Sequence, residues 1–482
     1  MQKEDLIKSL IEKGALISSD VLSLTEQELL EIVEKLPKEL RGIVIDKNFI
    51  NSLIIKTKPK IEETEFQSDA RVEIVKFYEG TLKKREINDF IFYLKARYNK
   101  LKKILLERSS LNEATSINKL SSEGCIVGLV YDIRKTASGN YIARLEDPTG
   151  AIDCIISKSN GLVEEAKEIV HDEVIGVKGV KRGASLFVKE IYFPDVPVET
   201  KPKHTKEECY AAFISDTHFG LKQFLQEDFE RFLRWLNKEE CSAEDEEIID
   251  KIRYLFVLGD VVEGVGVYPN QEKDLEVKDI YEQYKLAADY FARVPKRISV
   301  IICPGNHDAV RLLEPQPGFD KEFAEPLFKL NNAYLVSNPA MVNIHASKDF
   351  AGYNVLLYHG FSFPYYAENI ENIRSQGGLL RADLIMKFLL KKRHLSPAHT
   401  SNLYVPDPEK DFLVIDKIPD VFASGHIHRL TVTSYRNIFC FNCSCWASQT
   451  EDMERRGIVP EPSKVILLNL KTRNVTVKDF AK

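Results

Sequence analysis

The chain lacks the features that would assign it to a membrane or secreted class. No apolar stretch in its 482 residues approaches the ~18 residues that indicate a membrane span. The first five residues, Met-Gln-Lys-Glu-Asp, are charged where a signal peptide needs an apolar core. We therefore expect a cytoplasmic protein that makes no membrane contact.

A strong excess of charge of one sign is also missing. The net charge is −6, with 44% hydrophobic and 29% charged residues, a composition that excludes a collagen-like or largely disordered chain. The mild acidity argues against a free basic nucleic-acid binder. It does not exclude a nucleic-acid enzyme, because local charged patches decide such binding more than the total charge does.

Cysteine is sparse, with eight residues in the whole chain. Three of them, Cys440, Cys443 and Cys445, lie in one apolar run. A single Cys-x-x-Cys without a second pair is a poor zinc signal. We therefore expect these cysteines to be buried reduced thiols in a strand.

Histidine is scarce as well, and five of the ten histidines fall into five short polar stretches. Each stretch follows an apolar run that predicts a buried strand, at residues 211–214, 254–258, 300–303, 355–358 and 421–423. The stretches are Asp216-Thr217-His218, Gly259-Asp260, Gly305-Asn306-His307-Asp308, His359-Gly360 and Gly425-His426-Ile427-His428. Because ligand sites in α/β sheets gather outside the carboxyl ends of strands, the five stretches predict one crevice lined with oxygen and imidazole ligands.

This ligand chemistry predicts a two-metal hydrolase that acts on a phosphate ester. A bridging carboxylate lets two cations sit about 3.5–4 Å apart, the spacing that clamps a phosphoryl group. Mixed imidazole, carboxylate and amide ligands suit Mn, Fe or Zn better than an all-oxygen Mg site. Two cations lower the pKa of a shared water, and a histidine can supply the proton that the departing alkoxide needs.

The rest of the chain predicts a multidomain protein of α/β plus β class. Residues 1–50 carry a capping box and apolar residues at helical spacing, which predict a small helical module that we interpret as a partner-docking unit. After it we predict a polar linker at 51–69, a helical segment at 70–118, an OB-fold at 119–197 and an α/β layered domain at 205–482.

The predicted helical segment combines an apolar stripe with a basic outer face. The basic residues are Lys83, Lys84, Arg85, Lys95, Arg97, Lys100, Lys102 and Lys103. Contact with DNA phosphates and a merely solvated surface both fit this pattern.

Short strands predict the OB-fold. They are expected at residues 125–131, 141–145, 151–157, 174–180 and 186–193, with a helix-like insert at 162–170. Three strands, a helix and two strands fit the OB pattern. Such folds bind single strands or hold subunits together. We favour the structural role, because no run of aromatic residues suited to base stacking is evident.

The five polar stretches, in this order, resemble those of the calcineurin-like metallophosphoesterases. The resemblance implies an α/β sandwich with two metal sites that share a bridging Asp260. One site would be held by Asp216, His218 and His428, and the other by Asn306, His359 and His426. The resemblance also implies that His307 stands beside the metals, where it is the best candidate for the general acid, with Asp308 helping to orient it. Many members carry an aspartate after the Gly-Asp stretch where this chain has Glu263, a position that is not a ligand.

Segments between the stretches resemble a narrower family, the small subunits of archaeal family D DNA polymerases, over most of residues 70–482. Among these segments are 337–340, 358–363 and 442–450. The resemblance implies a 3′-to-5′ exonuclease that proofreads for a separate large catalytic subunit. It implies two divalent cations, with Mn preferred and Mg, Fe or Zn as alternatives. It further implies single-stranded DNA at the primer 3′ end as substrate, a nucleoid-associated location, and contact with the sliding clamp through the assembled polymerase.

Two other functions stay open at this point. The chain could be a catalytically silent scaffold that stabilises the large subunit, although every ligand position is filled. It could also be another hydrolase, such as a protein phosphatase or a cyclic-nucleotide phosphodiesterase, although an OB-fold speaks against this. Arg311 and His345, which lie near the motifs in sequence, fit a contact with substrate and a structural role equally well.

Overall fold

The computed structural model of the protein describes residues 8, 16–17, 44–45, 71–80 and 84–481. The chain divides into two compact units, Met1–Ser68 and Asp69–Lys482. In the first unit, strands β1 (Leu16–Ile17) and β2 (Val44–Ile45) pair in parallel. Apart from these few residues, the predicted helical module at 1–50 and the predicted linker at 51–69 lie outside the described residues.

The second unit opens with a strand and a long helix. Strand β3 (Val72–Lys76) pairs antiparallel with residues 341–344 at the edge of a sheet. The prediction of a helical segment over all of 70–118 is therefore wrong at its start. The β-branched residues of β3 favour an extended chain. The strand that pairs with β3 lies far away in the sequence, so the pairing has no local signal. Helix α1 (Ile87–Leu106) follows where a helix was predicted.

A closed five-stranded barrel stands where the OB-fold was predicted. Around the barrel the strands neighbour one another in the order first, second, third, fifth and fourth, and the fourth strand closes on the first. A short helix, α2 (Val163–Lys167), sits between the third and fourth strands, as predicted. The strands are β4 (Glu123–Lys135), β5 (Tyr141–Asp147), β6 (Gly150–Ile156), β7 (Val174–Arg182) and β8 (Ser185–Tyr192).

The remaining strands form two six-stranded sheets. They are β9 (Tyr210–Ile214), β10 (Ile252–Leu258), β11 (Ser299–Cys303), β12 (Ala333–Leu335), β13 (Ala340–Ile344), β14 (Tyr353–Leu357), β15 (Val421–Ser424), β16 (Thr431–Tyr435), β17 (Ile438–Asn442), β18 (Lys464–Asn469) and β19 (Val475–Asp479). The first sheet has the order β12-β11-β10-β9-β18-β19, and the second has the order β16-β17-β15-β14-β13-β3. One apolar core, which includes Phe213, Phe256, Val355 and Phe441, contains side chains of both sheets. The sheets are therefore the inner layers of a sandwich.

Helices cover the outer faces of the two sheets. Two further apolar cores join helices to strands, one for each sheet. The helices are α3 (Gln226–Leu236), α4 (Ala243–Lys251), α5 (Ile280–Phe291), α6 (Lys321–Phe328), α7 (Phe363–Asn369), α8 (Glu371–Arg374), α9 (Ala382–Lys392) and α10 (Glu451–Arg455). Among the described residues, no helix has both the length and the apolar character needed to cross a bilayer.

The strand directions place the predicted ligand loops at one edge of the sandwich. Strands β9, β10 and β11 are mutually parallel neighbours, and so are β14 and β15. Each predicted ligand stretch follows the carboxyl end of one of these five strands. Parallel neighbours end at the same side of a sheet, so each sheet presents its ligand loops as one group.

Helix α1, the barrel and the α/β domain meet around a buried arginine. Arg97 Nε donates to Asp411 Oδ2 at 2.7 Å, and Arg97 Nη1 donates to the backbone oxygens of Asp172 in the barrel and Pro397 in the α/β domain. The prediction that Arg97 belongs to the basic outer face is therefore wrong. A guanidinium carries five donors in a fixed fork, which suits it to join three elements at once.

Candidate metal centre

All seven predicted ligand residues lie in loops that leave the carboxyl ends of the five strands. Side-chain nitrogen and oxygen atoms approach within 4.8 Å of one another in three sets. The sets are Asp216 with His218 and His428, His218 with Asp260 and His307, and Asp260 with His359 and His426. Side chains that are far apart in the sequence thus converge on one pocket.

The first half of the pocket is built from the loops after β9 and β15. His428 Nε2 lies 3.2 Å from Asp216 Oδ1 and 3.1 Å from His218 Nε2. All three side chains are buried. One carboxylate oxygen and two imidazole nitrogens therefore face a common point.

The second half is built from the loops after β10, β11, β14 and β15. His359 Nε2 lies 3.2 Å from Asp260 Oδ2, 3.1 Å from Asn306 Oδ1 and 3.3 Å from His426 Nδ1. Asp260 Oδ2 also lies 4.0 Å from His218 Nε2 in the first half. The Asp260 carboxylate thus stands between the two groups of side chains.

The hydrogen-bond partners of two histidines show which nitrogen atoms are free to bind a cation. His218 Nδ1 lies 2.8 Å from Glu263 Oε2, and His359 Nδ1 lies 2.7 Å from the carbonyl oxygen of Leu258. Both oxygens are acceptors, so each Nδ1 carries a hydrogen and donates it. Each Nε2 is then the nitrogen left to bind a cation, and it lies 3.2 Å (His359) or 4.0 Å (His218) from Asp260 Oδ2. Acceptor atoms that converge in this way suit a divalent cation, so the residues fit a pair of metal ions.

The charges in the pocket keep its carboxylates ionised. Burial alone would raise the pKa of Asp260, but the charges of His359 and His307 hold it well below its ordinary range. Burial, together with the charge of His359, lowers the pKa of His426 well below its usual value. Ionised carboxylates and neutral imidazoles are the states that bind metals. His359 and His428 differ. Against the effect of burial, Asp260 raises the pKa of His359 to about 9, and Cys445 and Asp216 raise the pKa of His428 well above its ordinary value, so protons compete with cations at both.

The ligand loops hold an unusual backbone conformation. Asp216, His218, Asp260, His426 and His428 all have φ between 46° and 73°. This left-handed region is uncommon for residues other than glycine. Residues held there cluster at functional sites, where the surrounding structure compensates for the strain.

Two glycines make room for the carboxylates. A β-carbon at Gly425 would overlap Ser215 Oγ and Asp216 Oδ2, and one at Gly305 would overlap Asp260 Oδ1. The sequence motifs therefore need glycine at these positions because the backbone passes directly against the ligand side chains.

Glu263, for which sequence analysis predicted no role, contacts both His218 and His307. Its Oε2 accepts from His218 Nδ1, and its backbone oxygen lies 2.9 Å from His307 Nδ1. Gln271 Nε2 donates to Glu263 Oε1 at 2.9 Å and fixes the carboxylate. In the sequence, the only sign of this role is an acidic residue shortly after Gly259-Asp260. The contact with His218 in the structure shows what that residue does.

The contacts of Asp308 differ from those expected. Its carboxylate accepts from the backbone N–H of Gly305, at 2.8 Å, and from those of Val261 and Val262. Among the described residues it has no hydrogen bond to His307. A role for Asp308 in helping to orient His307 therefore stays a prediction, and the contacts of Asp308 join the loop after β11 to the loop after β10.

Arg311 and His345 take structural positions. Arg311 Nη2 donates to the backbone oxygen of Pro315 at 2.7 Å, and its guanidinium lies 4.9 Å from the ring centre of Tyr78. His345 Nδ1 lies 3.1 Å from the hydroxyl of Tyr254 in β10. Tyr254 lies in the first half of β10, away from the end that carries Asp260, so His345 is remote from the pocket.

The cysteine prediction is confirmed. Cys440, Cys443 and Cys445 are buried and unpaired, and burial raises the pKa of Cys440 to about 12. The three thiols therefore pack in the core, but only Cys440 lies within a strand, β17, because the chain leaves the sheet before Cys443 and Cys445.

Comparison with known proteins agrees with this geometry. The family model described as calcineurin-like phosphoesterase matches residues 211–430. The chain is 40% identical to the DNA polymerase II small subunit of Archaeoglobus fulgidus over 79% of this chain and 74% of the relative. For the relative of the same name from Methanothermobacter thermautotrophicus the identity is 37%, over 80% and 78%. For that from Thermoplasma acidophilum it is 34%, over 100% and 93%. The chain therefore belongs to the archaeal DNA polymerase II small subunits and carries their calcineurin-like phosphoesterase domain.

Proposed function

We propose that the chain is a two-metal 3′-to-5′ exonuclease that removes mismatched nucleotides for the large catalytic subunit of the polymerase. The observation that carries this proposal is the convergence of imidazole nitrogens and carboxylate oxygens from five strand ends on one pocket. A scaffold would have no need to keep five non-glycine residues in the left-handed region of φ.

The chain offers two ligand sets that share one carboxylate. Asp216, His218 and His428 would hold one cation, and Asn306, His359 and His426 the other, with Asp260 between them. Two divalent cations, when bound, supply positive charge for the phosphoryl oxygens and lower the pKa of water. Manganese is the metal we test first, with Mg, Fe and Zn as alternatives, because the ligand set is mixed.

His307 is placed to donate a proton to the departing 3′ oxygen. Its backbone N–H donates to Asp260 Oδ1 at 2.8 Å, so the residue is anchored to the carboxylate between the two ligand sets. Its Nδ1 hydrogen is donated to the backbone oxygen of Glu263. Nε2 is therefore the nitrogen that remains for the substrate, and a protonated Nε2 is the general acid.

The substrate and partner come from the family. Relatives that match most of the chain are named as small subunits of a DNA polymerase, which supports a large catalytic subunit as partner. Single-stranded DNA at the primer 3′ end is the substrate that a proofreading role requires. We also propose that the five-stranded barrel is an OB-fold, and that the sliding clamp is reached through the assembled polymerase.

The test is cleavage of primed DNA that carries a 3′ mismatch, by the full chain, with chelator, Mn²⁺ or Mg²⁺. We expect activity that depends on metal and is abolished by Asp260→Ala. Polarity is tested with p-nitrophenyl esters of thymidine 5′-phosphate and thymidine 3′-phosphate, since a 3′-to-5′ exonuclease cleaves the former. His307→Ala should lower kcat by roughly 10²–10⁴-fold with metal binding retained, while the exposed His204→Ala should have no effect.

A catalytically silent scaffold is the alternative function. Helix α1 exposes Ile87, Phe90, Ile91 and Phe92, and an exposed apolar face of this kind gives the chain a surface for a partner subunit. Normal assembly with the large subunit, combined with no binding of manganese, magnesium, iron or zinc in calorimetric titration, would establish the scaffold role and refute the exonuclease.

A further inference from the structure

We propose that a cavity beside the candidate metal ligands binds the terminal nucleoside of the substrate, that Leu312 determines this specificity, and that Arg456 binds the phosphate next to it. The inference rests on the proposed function, because it concerns the phosphodiester that the same pocket would cleave. It adds a nucleoside subsite, names Leu312 as the side chain that should distinguish a nucleotide from a simple phosphodiester, and names Arg456 as a phosphate contact common to both.

The cavity is continuous with the metal pocket. It has a volume of about 620 Å³, and Asn306, His307, His426 and Arg456 line both it and the smaller pocket between the ligands. Sites for small molecules measure roughly 300–1,000 Å³, so the cavity accommodates one nucleoside. A phosphate held at the ligands would have its attached sugar at the entrance to this cavity.

One wall of the cavity is apolar and open to solvent. Val265, Val267 and Leu312 are 52%, 37% and 41% exposed. Phe361 completes this lining, and its ring centre lies 5.6 Å from that of His426 in an edge-to-face arrangement. Exposed apolar side chains on a concave wall mark a site for a flat apolar ligand. The face of a nucleobase is such a ligand, and every base presents one.

Arg456 places a positively charged side chain on the wall that the cavity shares with the metal pocket. Arg456 follows helix α10, and its Nη1 lies 3.4 Å from Asp452 Oδ2, a long contact that leaves the side chain 53% exposed. A guanidinium matches the geometry of phosphate oxygens and binds them with two parallel hydrogen bonds. A cation on one side and an apolar wall on the other complement a nucleotide, which has a charged and an apolar end.

The chain contains a matched control for each residue. Leu313 is 38% exposed, close to the 41% of Leu312, but it does not line the cavity. Arg455 pairs with Glu451 four residues earlier, just as Arg456 pairs with Asp452, and it lines neither pocket. Leu313→Asp and Arg455→Gln therefore make the same chemical changes as Leu312→Asp and Arg456→Gln, but at positions outside the proposed subsite.

The experiment compares two p-nitrophenyl esters, one of thymidine 5′-phosphate and one of methyl phosphate. The full chain with Mn²⁺ should cleave the thymidine ester with the higher kcat/KM. Leu312→Asp should lower kcat/KM for the thymidine ester by roughly tenfold or more, mainly through KM, and leave the methyl ester unchanged. Leu313→Asp should alter neither ester. Arg456→Gln should raise KM for both by roughly tenfold, with partial rescue by Arg456→Lys and no effect of Arg455→Gln.

A binding measurement separates failure of this inference from failure of the proposed function. Titration calorimetry of thymidine 5′-monophosphate in chelator requires neither metal nor turnover. Weaker binding by Leu312→Asp than by Leu313→Asp would support the subsite even if no ester were cleaved. Equal hydrolysis of the two esters by the unaltered protein, or equal effects of the two leucine variants, would overturn it. Equal effects of the two arginine variants would overturn the role of Arg456.

Discussion

The Glu263 carboxylate lies 2.8 Å from Nδ1 of His218, whereas Nε2 of the same ring faces His428. A carboxylate in this position fixes the tautomer and the orientation of a ligating histidine and makes it more basic. Burial would raise the pKa of Glu263, but the charge of His307 and the hydrogen bond from His218 lower it, so the group stays ionised.

Replacement of this carboxylate should weaken metal binding. Glu263→Gln removes the charge and keeps the shape, so the affinity for Mn²⁺ should fall by roughly 10- to 100-fold, as measured by titration calorimetry. Glu272→Gln, on an exposed position nearby, is the control. Unchanged affinity in Glu263→Gln would show that His218 is oriented without it.

Loss of a site glycine should disrupt the pocket without unfolding the chain. Gly425→Ala places a methyl group against Ser215 and Asp216, so the loop that carries His426 and His428 must move. We expect loss of Mn²⁺ binding, with the far-ultraviolet circular dichroism unchanged. Gly183→Ala, at a barrel turn where a β-carbon meets no neighbour, should retain full binding. Retained binding in Gly425→Ala would refute this assignment of the loop.

The buried arginine between the domains should contribute far more to stability than its exposed neighbour on the helix. Arg97→Leu leaves the Asp411 carboxylate buried beside an apolar side chain and should lower the free energy of unfolding by about 3–5 kcal/mol. Lys100, three residues later, is half exposed and pairs with Asp416 at 3.3 Å, and solvent screens such pairs. Urea denaturation should show a large shift for Arg97→Leu and little for Lys100→Leu. Equal shifts would contradict the structural role of Arg97.

His394, which lies beside the Asp411 carboxylate, should make the free energy of unfolding depend on pH. His394 Nε2 lies 2.8 Å from Asp411 Oδ2, and its Nδ1 accepts from the N–H of Ser396. Burial, followed by the charge of Arg97, lowers its pKa from 6.5 to about 4. Between these values the unfolded chain binds the proton and the folded chain does not, so stability falls as pH drops from 6.5 towards 4. At ~1.4 kcal/mol per pH unit, the loss is about 3 kcal/mol.

Urea midpoints between pH 7 and pH 5, measured in chelator, test this dependence. His394→Gln has no titrating group at this position, so its midpoint should vary less with pH than that of the unaltered protein. The exposed His204→Ala should show the unaltered dependence. Identical pH profiles for the unaltered protein and His394→Gln would exclude His394 as the source.

The five polar stretches and the strands that precede them could be predicted from the sequence because their signals are local, whereas β12, β13, β16, β18 and β19 were not predicted. A buried strand followed by glycine and a ligand is visible within about ten residues, and such loops must meet at one edge of a parallel sheet. The same holds for the barrel, where each observed strand begins and ends within four residues of its predicted bounds. Strand β3 was missed, since a five-residue strand in isolation carries little signal and owes its conformation to pairing with β13.

What the sequence determined by itself was the available chemistry, since Asp, Asn and His carry metal-binding donor atoms in any fold, and glycine at a loop permits close approach of the backbone. Tertiary structure alone decided which charged groups face the pocket, the domain junction or solvent. Glu263, Arg97 and Arg456 carry ordinary charges in the sequence, and their different environments come from neighbours distant along the chain. Burial and hydrogen-bond partners are properties of three-dimensional proximity, and residue type does not encode them.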